Sequence, residues 1–188
     1  DQKPILYPDS DVPIVEPENI GGTDTLGDKE QKTLEIVKAA IQNGERALIY
    51  TSWVRTDSQQ KLKKFLTDEG YRTEILTDKI KTTDREDWVQ KKLAAGMQVL
   101  IVNPSLIETG LDLNAFTTLV FYSMGYKLFT LRQASRRSWR INQKAPAVKV
   151  YMLYYEDTMQ QKCLKLMASK LAVAGLIEGN FSCLLYTS

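Results

Sequence analysis

A chain of 188 residues, 43% of them apolar and 26% charged, with a net charge of +2, is long enough for one hydrophobic core and has the balance of a globular domain. It contains no histidine and only two cysteines, Cys163 and Cys183, which excludes Ser-His and Cys-His nucleophile pairs, histidine acid–base work, most zinc sites and any disulfide framework. No run of about 18 apolar residues occurs, so no membrane helix is expected, and so few cysteines suit a reducing, cytoplasmic setting.

Residues 1–27 carry Pro4, Pro8, Pro13, Pro17 and the Gly21-Gly22 pair, a composition that disfavours helix and reads as an extended connector. The start has neither an initiator Met nor a signal segment and reads as internal to something longer. Ordered structure is expected from Asp28. The spacing predicts a helix over 30–42 with Leu34, Val37, Ala40 and Ile41 on one face and Gly44 as its stop, then an apolar strand over 47–50. A second helix over 58–69, with Leu62, Phe65 and Leu66 inward and Gly70 behind it, leads into a strand over 73–76. Asp84 is the expected cap of a third helix containing Trp88, Val89 and Leu93, closed near Gly96 and followed by a strand over 99–102. Two more strands are read at 119–122 and 148–153, and a last helix at 157–177 with Met159, Cys163, Met167, Leu171 and Ala174 on one stripe. Apolar strands separated by helices predict an α/β fold, a parallel sheet with helices on both faces. The last six residues, Cys183 to Ser188, are what translating the transposon mosaic-end adapter TGTCTCTTATACACATCT gives, so 183–188 are expected to be an adapter-derived tail outside the fold.

In such a sheet ligands are held by loops at the carboxyl ends of strands. Three loops qualify: Thr51-Ser52-Trp53; the stretch from Asn103 to Leu113, with Thr109, Gly110 and Asp112; and the stretch from Gln133 to Gln143 ahead of the last strand. Between Asp112 and Glu156 no acidic residue occurs, while Lys127, Arg132, Arg136, Arg137, Arg140, Lys144 and Lys149 all fall there, so this segment favours an anion. Arg137 and Arg140 are spaced to share one helical face and reach a single polyphosphate. Taken alone, Arg136, Arg137 and Arg140 also fit a solvated basic face, Gly110 to Asp112 an ordinary turn, and Thr51 and Ser52 plain turn residues. Trp53, Trp88 and Trp139 fit a core or an interface as well as base stacking.

The pattern Gln133-Ala134-x-x-Arg137-x-x-Arg140-Ile141-x-Gln143 resembles motif VI of superfamily-2 helicases, nearest the chromatin-remodelling branch of double-stranded-DNA translocases; Asn142 stands where that family usually has glycine. The second loop is similar to motif V and the first to motif IV, in the family's order. The resemblance implies a RecA-like, P-loop NTPase-like second lobe over 28–182, joined by 1–27 to a preceding lobe. It further implies that Arg140 and Arg137 are catalytic, that Gln133, Gly110 and Asp112 with both arginines face the nucleotide, and that Thr51, Ser52 and Thr109 touch a nucleic-acid backbone, DNA foremost and RNA as a second possibility. A Gly-rich loop ending in Lys-Ser or Lys-Thr and a magnesium carboxylate pair do not occur in the chain, so ATP with Mg2+ is expected in a cleft whose other wall, the N-terminal lobe, holds the metal. The resemblance alone leaves open a stand-alone RecA-like module that binds nucleotide or nucleic acid without hydrolysis. A nucleotide-sugar lobe would give no reason for the paired arginines.

Overall fold

The computed structural model describes residues 5–6, 13–15, 26–52, 58–107, 111–123 and 147–178, with side chains described from 26 to 169 of these. Strands β1 (Ile5–Leu6) and β2 (Pro13–Val15) form a short antiparallel pair within the stretch read as an extended connector. The helices are α1 (Asp28–Gln42), α2 (Ser58–Asp68), α3 (Arg85–Ala94) and α4 (Met159–Glu178). Strands β3 (Ala47–Tyr50), β4 (Thr73–Leu76), β5 (Val99–Val102), β6 (Thr118–Phe121) and β7 (Lys149–Met152) form one sheet in the order β4-β5-β3-β6-β7. Every pairing in it is parallel, with Ala47 opposite both Val99 and Thr118.

Three helix-to-strand turns share one construction. Gly44, Gly70 and Gly96 have φ of 73°, 87° and 87°, the left-handed region that a β-carbon disfavours. The residue after each glycine donates its amide to a carbonyl one turn back in the helix: Glu45 to Ala40 at 2.9 Å, Tyr71 to Leu66 at 2.9 Å and Met97 to Lys92 at 3.0 Å. This closure satisfies carbonyls that a helix end would otherwise leave open, and it turns the chain directly into the next strand.

Alternation along the strands divides the core in two. Ala47 and Ile49 pack with Val99, Ile101, Ile75 and Val120 against Ile36 and Val37 of α1 and Leu62 and Leu66 of α2. Leu48 and Tyr50 pack with Leu100, Val102, Leu119 and Phe121 against Val89 of α3 and Cys163, Leu164 and Met167 of α4. The sheet is therefore covered on both sides, as the apolar strand runs require. On the second face the Tyr50 and Phe121 rings stack at 4.7 Å, and the Cys163 thiol lies 3.7 Å from the Met167 sulfur.

Several side chains depart from the pattern read in the sequence. Met159 is 64% exposed, because the buried stripe of α4 runs through Cys163, Leu164 and Met167. Phe65 is half-buried, with the Lys61 ammonium 5.8 Å from its ring centre. Asp84 precedes α3 without capping it and instead accepts the Thr83 hydroxyl at 2.7 Å. At the amino ends of the strands, Glu45 accepts from Lys149 at 2.7 Å and Thr118 at 2.6 Å. Burial raises the Glu45 carboxyl, but these two donors outweigh it and hold its pKa below the ordinary value.

Gly96 carries a further constraint, since a β-carbon there would overlap the Arg72 guanidinium, which donates to the Ala95 carbonyl at 3.1 Å. The guanidinium is the movable end of a long side chain, so the positive φ sets the penalty. Gly96→Ala is expected to destabilise the fold by about 1–2 kcal/mol and to lower the thermal midpoint by roughly 2–4 °C per kcal/mol. A melt that superimposes on wild type would show that this turn does not need glycine.

Candidate functional site

After β3 the chain turns toward β4 on one side of the sheet, and after β6 it continues to β7 on the other. The carboxyl ends of these neighbouring strands are thus where successive connections diverge, the place at which doubly wound sheets open a crevice for ligands. The ladder extends one step past the strands: Thr51 donates its amide to Val102 at 3.0 Å, and Tyr122 donates to Tyr50 at 3.0 Å. Beyond that point side chains replace the ladder. The Ser52 amide donates to the Ser123 hydroxyl at 2.7 Å, and the Ser52 hydroxyl donates to the Ser123 carbonyl at 3.2 Å.

The expected nucleic-acid residues are only partly described. Thr51 is fully buried, and its hydroxyl accepts from Gln59 of α2 at 2.8 Å. Ser52 is half-buried, with both of its donors committed to Ser123. Thr109 and Gly110 lie outside the described residues, as do Gln133, Arg136, Arg137 and Arg140. Asp112 is half-buried and accepts from the Asn114 amide at 3.1 Å and the Asn114 side chain at 3.2 Å. Among the described residues no group of three or more His, Cys, Asp or Glu is placed to hold a metal ion.

The turn after β5 is held by Asn103 and by Arg85, a residue to which the sequence assigned no role. Asn103 folds the segment after β5 by accepting the Ser105 amide at 3.0 Å and hydroxyl at 2.9 Å, ahead of a 3-10 turn at Pro104–Ile107. Arg85, only 7% exposed, donates from Nη1 to the Leu106 carbonyl at 2.8 Å and from Nε to the Ile80 carbonyl at 3.2 Å. Its guanidinium therefore ties the start of α3 to the turn that leads into 108–110. The available signal was a cation on the buried face of a helix, one turn before Val89.

Lys29 gives the same signal one turn before the buried Thr33 and is 4% exposed. Its ammonium donates to Gln160 of α4 at 2.6 Å and to the Tyr122 carbonyl at 3.4 Å, and it lies 4.7 Å from the Tyr155 ring centre. Beside it Glu30 accepts the Tyr122 hydroxyl at 2.9 Å and pairs with Lys61 at 3.4 Å. The first turn of α1 is thereby fastened to the exit of β6 and to α4. Burial drives the Lys29 pKa down from 10.5 to about 8, and the Glu30 carboxylate offsets only part of that. Burial, followed by Glu30, raises the Tyr122 hydroxyl above its ordinary value.

An all-parallel sheet covered on both faces, with its polar turns collected at the carboxyl ends of the strands, defines a RecA-like α/β lobe. The chain belongs to the helicase conserved C-terminal domain family, whose model matches residues 28–142, and the resemblance to the C-terminal lobe of a superfamily-2 helicase holds. It is similar to the ATP-dependent helicase fft3 of Schizosaccharomyces pombe, 23% identical over 154 residues that make up 81% of this chain and 16% of that protein. It is also similar to an uncharacterized ATP-dependent helicase of Mycoplasma pneumoniae, 23% identical over 155 residues, 82% of this chain and 15% of that protein. The crystal structure of the C-terminal part of the Fun30 ATPase domain shares the fold, with a TM-score of 0.66 and 18% identity over 76% of this chain and 47% of that one. The chain thus spans about one-sixth of the length of the relatives it matches.

Linkage gives Lys29 a measurable signature. The folded state releases its proton near pH 8 while the unfolded chain keeps it to about 10.4, so the burial penalty is fully present below 8 and stability gains with pH across that interval. Wild type is expected to gain thermal stability relative to Lys29→Met between about pH 8 and 10, with a constant difference from about pH 6 to 7.5. Parallel pH profiles for the two proteins would show that this ammonium titrates as an ordinary lysine.

Proposed function

We propose that this chain is the C-terminal lobe of a longer ATP-dependent DNA translocase, with a preceding RecA-like lobe in the same polypeptide completing the ATP site. The observation that supports it best is positional. The loops resembling motifs IV and V follow β3 and β5, parallel neighbours whose carboxyl ends open at one edge, and the loop resembling motif VI lies between β6 and β7 in the same family match. A motor needs nucleotide contacts and strand contacts on one rigid body, so that a change at one is felt at the other.

In this reading Arg140, helped by Arg137, enters the cleft between lobes and stabilises charge developing on the transferred phosphoryl group. Gln133 and Gly110 line the nucleotide, and the Asp112 carboxylate takes a ribose hydroxyl. ATP, with Mg2+ held by the other lobe, supplies the phosphoanhydride whose hydrolysis drives the cycle. The turns carrying Thr51, Ser52 and Thr109 follow the backbone of DNA, which makes binding sensitive to salt and largely indifferent to sequence. RNA offers the same phosphates.

Arginine-finger contacts are worth about a thousandfold or more in turnover in related NTPases. In the full-length parent enzyme, Arg140→Ala is expected to lower DNA-stimulated ATP turnover by about that factor while ATP binding, measured with a fluorescent nucleotide, is retained. Unchanged turnover would remove the finger assignment and leave a binding module. The reading also expects a phosphate loop to be encoded upstream of Asp1, which sequencing of the parent locus would reveal.

A further inference from the structure

Three hydroxyls stand where β3 and β6 part, and they are not equivalent. Thr51 is sealed in the core under Gln59. Ser52 has directed both its amide and its hydroxyl proton at Ser123. Ser123 is half-buried, and its hydroxyl oxygen accepts the Ser52 amide at 2.7 Å, while no described residue accepts its proton. A hydroxyl that accepts a short hydrogen bond is polarised into a better donor. The segment that begins at the next residue contains Lys127, Arg132, Arg136, Arg137 and Arg140 and no acidic side chain, a composition that favours an anionic ligand.

From this arrangement we infer that Ser123 is the residue at the β3–β6 divergence that donates a hydrogen bond to a nucleic-acid backbone phosphate, and that Ser52 and Thr51 serve as its support. The inference deepens the proposed function and rests on it. Ser52 fixes the Ser123 oxygen through its amide, a bond that any residue at position 52 with a backbone N–H could make. Ser123 supplies the proton. Because a neutral hydroxyl displaces no condensed counterion, the contact adds affinity without adding to the salt dependence, which the lysines and arginines set.

The test uses the full-length parent enzyme and a short fluorescein-labelled duplex DNA, with the dissociation constant read by anisotropy across a salt series. Ser123→Ala is expected to weaken binding by about ten- to a hundredfold, the size of one net hydrogen bond to a charged group, with the slope of log affinity against log salt unchanged. Ser123→Thr, which keeps the hydroxyl, is expected to recover to within about twofold of wild type, and Ser52→Ala to lose less than Ser123→Ala. An equal or larger loss in Ser52→Ala, no recovery in Ser123→Thr, or a shallower salt slope in Ser123→Ala would overturn the assignment. Wild type that binds no DNA would sink the proposed function and this inference together. Wild type that binds while Ser123→Ala binds equally well would sink the inference alone.

Discussion

The pairing of β3 with β5 on one side and β6 on the other sets everything else in the lobe. All four residues of β3 are fully buried, so each backbone amide and carbonyl must find its partner in a neighbouring strand, and each side chain must find an apolar neighbour above or below. A register slip by one residue would exchange Leu48 and Tyr50 with Ala47 and Ile49 and put each pair on the face shaped for the other. The parallel direction then obliges the chain to return over one face after each strand. The glycine turns at 44, 70 and 96 make that return compact, and as a result the carboxyl ends of the strands gather on one edge.

That edge is held by polar contacts between elements distant in sequence. Lys29 and Glu30 reach Tyr122, Ser52 reaches Ser123, and Arg85 reaches Leu106. Each joins a helix or strand of the scaffold to the border of a loop with an expected ligand contact. Two of the joints are buried cations with donors committed to carbonyl or amide oxygens, an arrangement that is rigid because releasing either cation would leave it unpaired in a poorly hydrated place.

The sequence pattern was informative wherever the constraint is local. The strands over 73–76 and 99–102 were legible to the residue, because each is a short apolar or β-branched run that starts at a fixed distance from a turn glycine. Helix α1 begins two residues before the expected start, since Lys29 belongs to its buried face, and a lysine there reads as solvent-exposed in any periodicity count. β6 takes in Thr118, whose hydroxyl is satisfied by Glu45 from the far end of α1. The pairing of Ile5–Leu6 with Pro13–Val15 in a proline-bearing stretch left no signal in the alternation. For the site, Thr51, Ser52 and Asp112 could be located as residues after strands, but their partners could not. Gln59 is in the next helix, and Ser123 follows a strand that becomes a neighbour of β3 only through the crossover order of the sheet.

Cys163 is the single cysteine among the described residues; it lies on the buried face of α4 with its thiol against the Met167 sulfur. A thiol reagent can reach it only when α4 lifts from the sheet, since Leu119, Phe121 and Met152 belong to the same buried cluster on the sheet side. The rate of its alkylation, read apart from that of Cys183, therefore reports how readily that layer opens. The chain in this way carries its own built-in reporter on the layer that covers the β6–β7 half of the sheet.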